Sequence, residues 1–457
     1  MKNNRIMRGI GLFLLGILCY GSLMAQSFET AGRDKEVTDF FSMVLSGKEM
    51  SFDKGKKINL KEVEKAKLKV WSLWKLANEN CKEEKLPQLS DLTEKDSCSW
   101  TLPEVLEPNA VMNYYFGRKG EQKEGVKIPF FLYMHGSGPK AIEWKTGLNI
   151  CQRFDDAPSV YFISQIPNMG SYYRWWQKAK QYAWNRLFRQ VLLNELIDPN
   201  RLYLFGISEG GYGSQRLASF YADYLAAAGP MAGGEPLKNA PAENCANIGF
   251  SLLTGAEDEG FYRNILTGYT KQSFDSLHQV YPEYYQHRIE LIPHRGHFIN
   301  YSLTTPWLKK FVRNPYPKWV SWEDFEMDGL HRKGFYNLVV TERPEHGRMH
   351  YDMKIEGNTI TVNVRNVKYR TIQTDSVYGI EMKFEKDYTQ AVEGRFMVYL
   401  NNNLVDLKKK VKLVVNGKKV YEGKVKPDLK HLVNSCAVFY DPLRLYPVAL
   451  TVDLSVL

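Results

Sequence analysis

The central part of the chain alternates short apolar runs with amphipathic stretches of helical spacing. Gln181–Leu196 is the longest of these stretches and predicts an amphipathic helix. The apolar runs have strand length, and the strands they predict are 111–116, 128–133, 159–165, 202–205, 225–234, 249–253 and 288–292. Strands that alternate with helices in this way predict an α/β fold, with a doubly wound, mostly parallel sheet over residues 106–314.

The flanking regions show other patterns. From Leu60 to Cys81 apolar positions recur at helical spacing, which predicts a helical N-terminal extension, 26–105, whose helix packs on the central region. After Asn314–Pro317 the periodicity becomes that of strands, and Asn416-Gly417 is typical of a two-residue hairpin turn. The predicted strands are 334–340, 349–355, 359–364, 377–384, 395–400, 412–415 and 419–425. Residues 315–457 are therefore predicted to form an all-β, sandwich-like accessory domain.

Residues 1–25 have the pattern of a signal peptide. Three basic residues precede the apolar run Ile10–Tyr20, and a small residue, Ala25, stands at the expected cleavage site. The run is too short to favour a membrane anchor, and no later segment is long and apolar enough to span a bilayer. We expect a secreted or periplasmic protein with no membrane span after cleavage.

Charge and cysteine content narrow the classes of partner. The net charge of +10 is concentrated in the C-terminal part, where the basic residues include Lys408, Lys409, Lys410, Lys412, Lys418 and Lys419. These basic residues are expected to lie on a solvent-exposed strand face. The alternative is that they form a surface that contacts an anionic polysaccharide. No nucleic-acid partner is predicted. Cys81 and Cys98 are the local candidates for a disulfide, and the lack of a C-x-x-C pair argues against a zinc site, so no metal or cofactor is expected.

The segment that carries the chemistry is Arg201–Gly213. It reads as a buried strand, a G-x-S-x-G turn with Ser208 at its tip, and a helix. In this context the turn exposes the serine hydroxyl at the end of the sheet, and the helix N-terminus directs N–H groups and a positive dipole end toward it. Ser208 is therefore the predicted nucleophile.

Two further stretches supply the groups that a serine nucleophile requires. The strand 128–133 runs into His135-Gly136-Ser137-Gly138, where a backbone N–H can serve as an oxyanion donor. We predict the N–H groups of Ser137 and Glu209 as the donor pair, although Gly136 and Gly138 are alternatives to Ser137.

The acid and the base of a catalytic triad are expected after the last two strands of the central region. Asp258 follows Gly255 at a G-x-x-D interval and is the predicted acid, with Glu257 as the fallback. His297 follows Gly296 and is preferred to His294 as the general base.

An aromatic loop follows the strand 159–165. Its position at the carboxyl end of the sheet is where α/β proteins bind ligands. Arg174 is predicted to bind a substrate carboxylate, and Trp175 and Trp176, with Tyr173, are predicted to stack on sugar rings. Ordinary packing of the tryptophans is the alternative.

Residues 107–313 resemble the α/β-hydrolase superfamily, because the HGSG loop, the GISEGG turn, the GAED acid and the GH motif follow that family's order. The segments Asp198–Arg201 and Ser208–Gly213 are similar to secreted carbohydrate esterases and related peptidases. The resemblance implies a Ser208–His297–Asp258 triad and hydrolysis of an ester on a polysaccharide or oligosaccharide, with methyl esters of pectin favoured and acetyl or feruloyl esters close behind. A serine peptidase of the prolyl-oligopeptidase type and a glycan-binding protein with a vestigial site are the alternatives. The oligomeric state is left open.

Overall fold

The computed structural model of the protein describes residues 32–95, 97–345 and 347–457. The predicted signal peptide, 1–25, lies outside the described residues. Within them, no helix combines the length and the apolar character that a membrane span requires.

An eight-stranded sheet forms the centre of the protein, with the strand order β1-β2-β4-β3-β5-β6-β7-β8. β2 is antiparallel to both of its neighbours, β1 and β4, and the other neighbouring strands of the sheet pair in parallel. The strands are β1 (Ser97–Thr101), β2 (Val111–Lys119), β3 (Ile128–Met134), β4 (Ser159–Ser164), β5 (Ile197–Ile207), β6 (Ala227–Met231), β7 (Gly249–Gly255) and β8 (His287–Ile292). Every residue of β3, β4, β6 and β7 is buried, as expected for parallel strands covered on both faces.

Helices cover both faces of this sheet. The helices of the central region are α3 (Lys140–Arg153), α4 (Lys178–Leu193), α5 (Glu209–Tyr221), α6 (Arg263–Val280) and α7 (Thr304–Leu308). Phe130 and Leu132 of β3 belong to one hydrophobic core, whereas Phe131 and Tyr133, which point to the opposite face, belong to another. The predicted α/β fold, with its doubly wound and mostly parallel sheet, is confirmed.

Two further sheets follow in the C-terminal part. One contains β10 (Gly334–Phe335), β11 (Leu338–Glu342), β15 (Arg395–Leu400) and β18 (Val448–Asp453). The other contains β9 (Trp319–Asp324), β12 (Arg348–Glu356), β13 (Thr359–Thr374), β14 (Glu381–Gln390), β16 (Lys410–Val415) and β17 (Lys418–Lys424). Aromatic side chains join the two sheets, with Trp322 stacked on Phe335 at 5.3 Å and Tyr351 edge-on to Phe396 at 5.4 Å. The part also includes a helix, α8 (Leu429–Phe439), for which the sequence pattern made no prediction.

The N-terminal extension joins the central and C-terminal parts. Its helices, 32–45 (α1) and Val63–Asn80 (α2), bury Phe41 and Trp74 against Leu432 of α8. Asn78 of α2 also accepts a hydrogen bond from Arg189 of α4, so α2 packs on the central region, as predicted, and on the C-terminal part as well. The extension also supplies β1, an edge strand of the central sheet. The expected disulfide is absent, because Cys81 and Cys98 are both free thiols.

The turn between β13 and β14 differs from the predicted strand 377–384. The carboxylate of Asp375 accepts hydrogen bonds from the backbone N–H groups of Val377 at 2.9 Å and Tyr378 at 2.7 Å. These bonds draw residues 375–380 into a compact turn, so β14 begins only at Glu381.

Candidate active site

Ser208 lies in a strained turn between β5 and α5. Its backbone angles are φ 58° and ψ −113°, a conformation that costs free energy in a residue with a side chain. The flanking glycines permit the turn. A Cβ at Gly206 would lie 2.3 Å from the Gly210 carbonyl oxygen, and one at Gly210 would lie 2.0 Å from that of Met134. The local sequence therefore forces the serine side chain out of the sheet and beside the start of a helix.

The structure brings Ser208, His297 and Asp258 into one hydrogen-bonded chain. His297 Nε2 lies 3.0 Å from Ser208 Oγ, and His297 Nδ1 lies 2.8 Å from Asp258 Oδ2. Asp258 is buried, and His297 is about one-third exposed. This arrangement allows the imidazole to accept the serine proton while the carboxylate fixes its orientation.

The two alternative residues for the acid and the base lie elsewhere. His294 is 96% exposed and faces Glu257, with 3.7 Å between His294 Nδ1 and Glu257 Oε1. These side chains contact each other in solvent rather than Ser208. The two loops direct Asp258 and His297 toward Ser208, and direct Glu257 and His294 into solvent.

Arg263, at the start of α6, is a functional candidate that the sequence analysis missed. Its Nε donates to both Asp258 oxygens at 2.9 Å, and its Nη2 lies 2.7 Å from Asp258 Oδ1. Burial favours the neutral form of Asp258, but the hydrogen bonds from Arg263 and His297 outweigh it and lower the pKa of the carboxyl group. Arg263 follows the acid with four residues between them, so the G-x-x-D-x-x-x-x-R spacing was a usable signal.

The loop after β3 passes beside Ser208, since a Cβ at Gly136 would lie 3.4 Å from the Ser208 Cβ. Ile166 N–H donates to His135 Nε2 at 3.1 Å, which leaves the proton on Nδ1, and Nδ1 donates to the Gly136 carbonyl at 2.7 Å. The Tyr173 hydroxyl donates to the same carbonyl at 2.6 Å. A trans peptide places its C=O and the following N–H on opposite sides, so these two bonds point the Ser137 N–H away from the core.

The second predicted donor is the N–H of Glu209. Glu209 is the first residue of α5, and an N–H at this position has no acceptor within the helix. It lies beside Ser208 at the positive end of the helix dipole. The N–H groups of Ser137 and Glu209 stay the predicted pair of oxyanion donors.

The predicted substrate-binding residues lie in different environments. Arg174 is half exposed, and its Nη1 lies 3.4 Å from Glu209 Oε2. Trp176 is half-buried, with the guanidinium carbon of Arg216 3.9 Å from its ring centroid. Trp175 has no exposed surface, and its Nε1 donates to the His135 carbonyl at 3.0 Å. The prediction that Trp175 stacks on a sugar was wrong, because the ring supports the loop after β3 from inside the core. Tyr173 is buried in the same way.

A cavity of about 360 Å³ borders the serine turn. Its lining includes Arg174, Trp176, Glu209 and Tyr212 from the central region and Ile380 from the turn after β13. The volume is within the range of about 300–1,000 Å³ that small-molecule sites occupy. Among the described residues, no group of three or more His, Cys, Asp or Glu side chains is placed to hold a metal ion.

Solved structures with partial similarity include esterases and a peptidase. A thermostable esterase aligns at a TM-score of 0.36 and 17% identity over 48% of this chain, which spans 64% of that structure, slightly less than two thirds. A ferulic acid esterase from Anaeromyces mucronatus aligns at a TM-score of 0.34 and 14% identity, over 50% of this chain and 94% of that one. A protein assigned as dipeptidyl aminopeptidase IV from Bacteroides ovatus aligns at a TM-score of 0.36 and 11% identity. The alignment covers 47% of this chain and 34% of that one. No protein-family model and no curated protein matches the chain. Similarity at this level does not establish a shared activity.

Proposed function

We propose that this chain is a secreted or periplasmic serine hydrolase of carboxylic esters, and that its substrates are esters of plant-type polysaccharides. The observation that carries the proposal is the chain of hydrogen bonds from Ser208 through His297 to Asp258 at a strained strand-to-helix turn. Such a chain activates a hydroxyl group that is a weak nucleophile by itself.

In the proposed reaction, Ser208 Oγ attacks the ester carbonyl while His297 Nε2 takes its proton. Asp258 accepts a hydrogen bond from His297 Nδ1 and stabilises the imidazolium. The N–H groups of Ser137 and Glu209 donate to the oxyanion, and loss of one such donor typically raises the barrier by about 2.7–4 kcal/mol. The imidazolium then protonates the leaving alcohol, and water hydrolyses the acyl-enzyme with His297 as the base.

The proposed substrate class comprises methyl, acetyl and feruloyl esters on sugars, with pectin methyl esters as the first substrate to test. The cavity beside Ser208 supports a sugar substrate because it combines the aromatic ring of Trp176 with charged hydrogen-bonding groups. Arg174 was the reason to expect an acidic glycan from the sequence, and its contact with Glu209 reduces the charge it offers to a ligand.

The experiment compares the mature protein with Ser208→Ala on methyl-esterified pectin, acetylated xylan, a feruloylated oligosaccharide, p-nitrophenyl acetate and a prolyl peptide anilide. We expect hydrolysis of at least one sugar ester and of p-nitrophenyl acetate, with a loss of activity of about 10³-fold or more in the variant, as expected when a nucleophile is removed. A fluorophosphonate probe should label the peptide that contains Ser208.

Ser72→Ala is the matched control, because this serine is exposed on α2 and its hydroxyl bonds only to the Lys69 carbonyl. It should keep full activity and full labelling. Cleavage of the anilide with all esters inert would replace the esterase proposal by the peptidase alternative. A folded protein that hydrolyses nothing in the panel and resists the probe would contradict a hydrolytic role for Ser208.

A further inference from the structure

The cavity beside Ser208 is built by two parts of the chain that are far apart in sequence. Glu209 and Tyr212 of α5 form one side, and Gly379, Ile380 and Glu381 from the β13–β14 turn form the other. We refer to residues 375–381 as the cleft turn. Because the cleft turn belongs to the C-terminal sheets, that part of the protein contributes directly to the site next to the serine.

The cleft turn is fixed both internally and against the central region. Asp375 accepts a hydrogen bond from the Tyr262 hydroxyl at 2.7 Å, in addition to its bonds within the turn. The Tyr378 ring lies 4.7 Å from that of Phe261, and Lys238 Nζ contacts both oxygens of Glu381, at 2.8 and 3.1 Å. The wall that Ile380 presents to the cavity is therefore pre-organised, which lowers the free-energy cost of binding.

Glu209 lines this cavity, and one of its carboxyl oxygens is buried without a hydrogen-bond partner among the described residues. Glu209 is only 8% exposed, and within the described residues its Oε1 has no hydrogen-bond partner. Burial raises the pKa of Glu209 to about 7, and Arg174 offsets only part of that effect. A buried polar atom left unpaired costs free energy, so a ligand hydroxyl that reaches this carboxyl group and donates to it would recover that free energy.

The remaining polar groups of the lining favour a neutral ligand rather than an anionic one. Arg216 is paired with Glu235 at 2.7 Å, Glu381 is paired with Lys238, and Arg174 lies near Glu209. The arginines are thus already matched by carboxylates, and a further carboxylate on the ligand would meet unfavourable charge. Trp176 and Phe261 add aromatic surface, on which the apolar face of a sugar ring packs well.

We infer that this cavity binds a neutral sugar unit of the ester substrate, and that the Glu209 carboxyl group accepts a hydrogen bond from one of its hydroxyl groups. The inference rests on the proposed function, because it takes Ser208 as the nucleophile beside the cavity. It makes Glu209 a specificity-determining residue through its side chain, separately from the backbone N–H. It also makes the C-terminal part, through Ile380, a wall of the substrate site.

The first test is a comparison of two acetyl esters, mono-O-acetylated methyl β-xylopyranoside and p-nitrophenyl acetate, of which only one carries a sugar. We expect Glu209→Gln to lower the ratio of kcat/KM for the sugar ester to that for p-nitrophenyl acetate by tenfold or more, mainly through KM. Ile380→Trp, which fills the cavity from the opposite wall, should lower the same ratio. Glu257→Gln is the matched control, since Glu257 is largely exposed and lies outside the cavity; it should leave the ratio unchanged.

The second test measures binding without catalysis. Ligand-observed NMR with Ser208→Ala should detect methyl β-xylopyranoside, and Ile380→Trp in that background should abolish the signal. Sugar binding without hydrolysis of any ester would refute the proposed function and retain the cavity assignment. Three outcomes would overturn the inference. The first is Ser208-dependent hydrolysis of p-nitrophenyl acetate with no sugar binding, and the second is an equal loss of kcat/KM on both esters in Glu209→Gln. The third is binding of methyl galacturonate in preference to methyl β-xylopyranoside.

Discussion

Asp258 depends on Arg263 for its charge and its orientation. Burial removes water from the carboxylate, and the guanidinium group replaces that water with hydrogen bonds to both oxygens. Because the pKa of Asp258 is lowered, the group remains ionised and can stabilise a protonated His297. At the residue scale, the hydrogen-bonded chain at Ser208 therefore includes four side chains rather than the three that the motif suggests.

Arg263→Met should lower kcat by about tenfold or more with little change in KM, since hydrogen bonds to a charged group contribute roughly 1.5–3 kcal/mol. Without the guanidinium the pKa of Asp258 rises, so the acidic limb of the kcat–pH profile should move to higher pH. Steady-state kinetics on p-nitrophenyl acetate from pH 4 to 9 measures both effects. Arg295→Met, at an exposed position in the loop that carries His297, is the control. An unchanged acidic limb in Arg263→Met would refute the role assigned to Arg263.

Glu209 makes the folded protein sensitive to pH. Its pKa in the folded state is about 7, above the usual 4.5, because burial penalises the ionised form. Stability associated with the neutral carboxyl is fully present below pH 4.5 and is lost as the pH rises through 7. Glu209→Gln should therefore gain stability relative to the wild type between pH 5 and pH 8, by at most about 3 kcal/mol. Urea denaturation at the two pH values measures the difference, which should be absent for Glu257→Gln.

The loop after β3 shows how an element is shaped by groups that never contact substrate. Its predicted oxyanion donor, the Ser137 N–H, belongs to the Gly136–Ser137 peptide group. The carbonyl of that group accepts hydrogen bonds from His135 and Tyr173. Burial lowers the pKa of His135 to about 4, so the ring stays neutral near pH 7 and keeps its Nδ1 proton on that carbonyl. At the element scale, the aromatic loop after β4 thus positions the predicted oxyanion loop in addition to lining the cleft.

Tyr173→Phe should lower kcat by roughly tenfold and leave KM nearly unchanged, because the Ser137 N–H loses part of its orientation but stays within reach of the oxyanion. The unfolding free energy should fall by only about 1 kcal/mol, the contribution of one hydrogen bond. Tyr172→Phe, on an exposed ring in the same loop, is the matched control. An equal effect of the two substitutions on kcat would show that the loop as a whole, and not this hydroxyl, affects the reaction.

A buried ionic network joins the central and C-terminal parts. Asp223, next to α5, accepts from Arg332 at 3.1 Å and from Arg444 at 2.5 Å. Arg444 also donates to Asp441, which accepts from Arg313. These side chains are almost fully buried, and one hydrophobic core continues through both parts. At the scale of the whole molecule, the predicted domains therefore share one interior.

Asp223→Asn should destabilise the protein by about 3–5 kcal/mol, because it removes the buried acid that Arg332 contacts and leaves Arg444 to share Asp441 with Arg313. Unfolding should remain a single transition, since the network and the core span both parts. Urea denaturation followed by fluorescence and by circular dichroism tests both statements. Asp275→Asn removes a half-exposed acid that contacts Lys271 and His287 and should cost no more than about 1 kcal/mol. Two separate transitions in the wild type would contradict a shared interior.

The sequence by itself determined the central fold and the residues around Ser208. Parallel strands are read from local apolar runs, and the G-x-S-x-G turn needs its glycines within five residues, so both signals are short-range. The order of the motifs also located Asp258 and His297, because the carboxyl ends of neighbouring parallel strands meet at one edge of the sheet. What each of these residues does in a reaction stays a prediction until the variants are measured.

Tertiary structure decided the features that depend on side-chain direction and on distant contacts. Trp175 and Trp176 are neighbours in sequence, yet one supports the core and the other lines a cavity, because successive loop residues need not share an environment. Tertiary structure also decided that Arg263 lies beside Asp258 and that the cleft turn lies beside Glu209. The last of these contacts joins positions about 170 residues apart, and only packing of the complete chain brings them together.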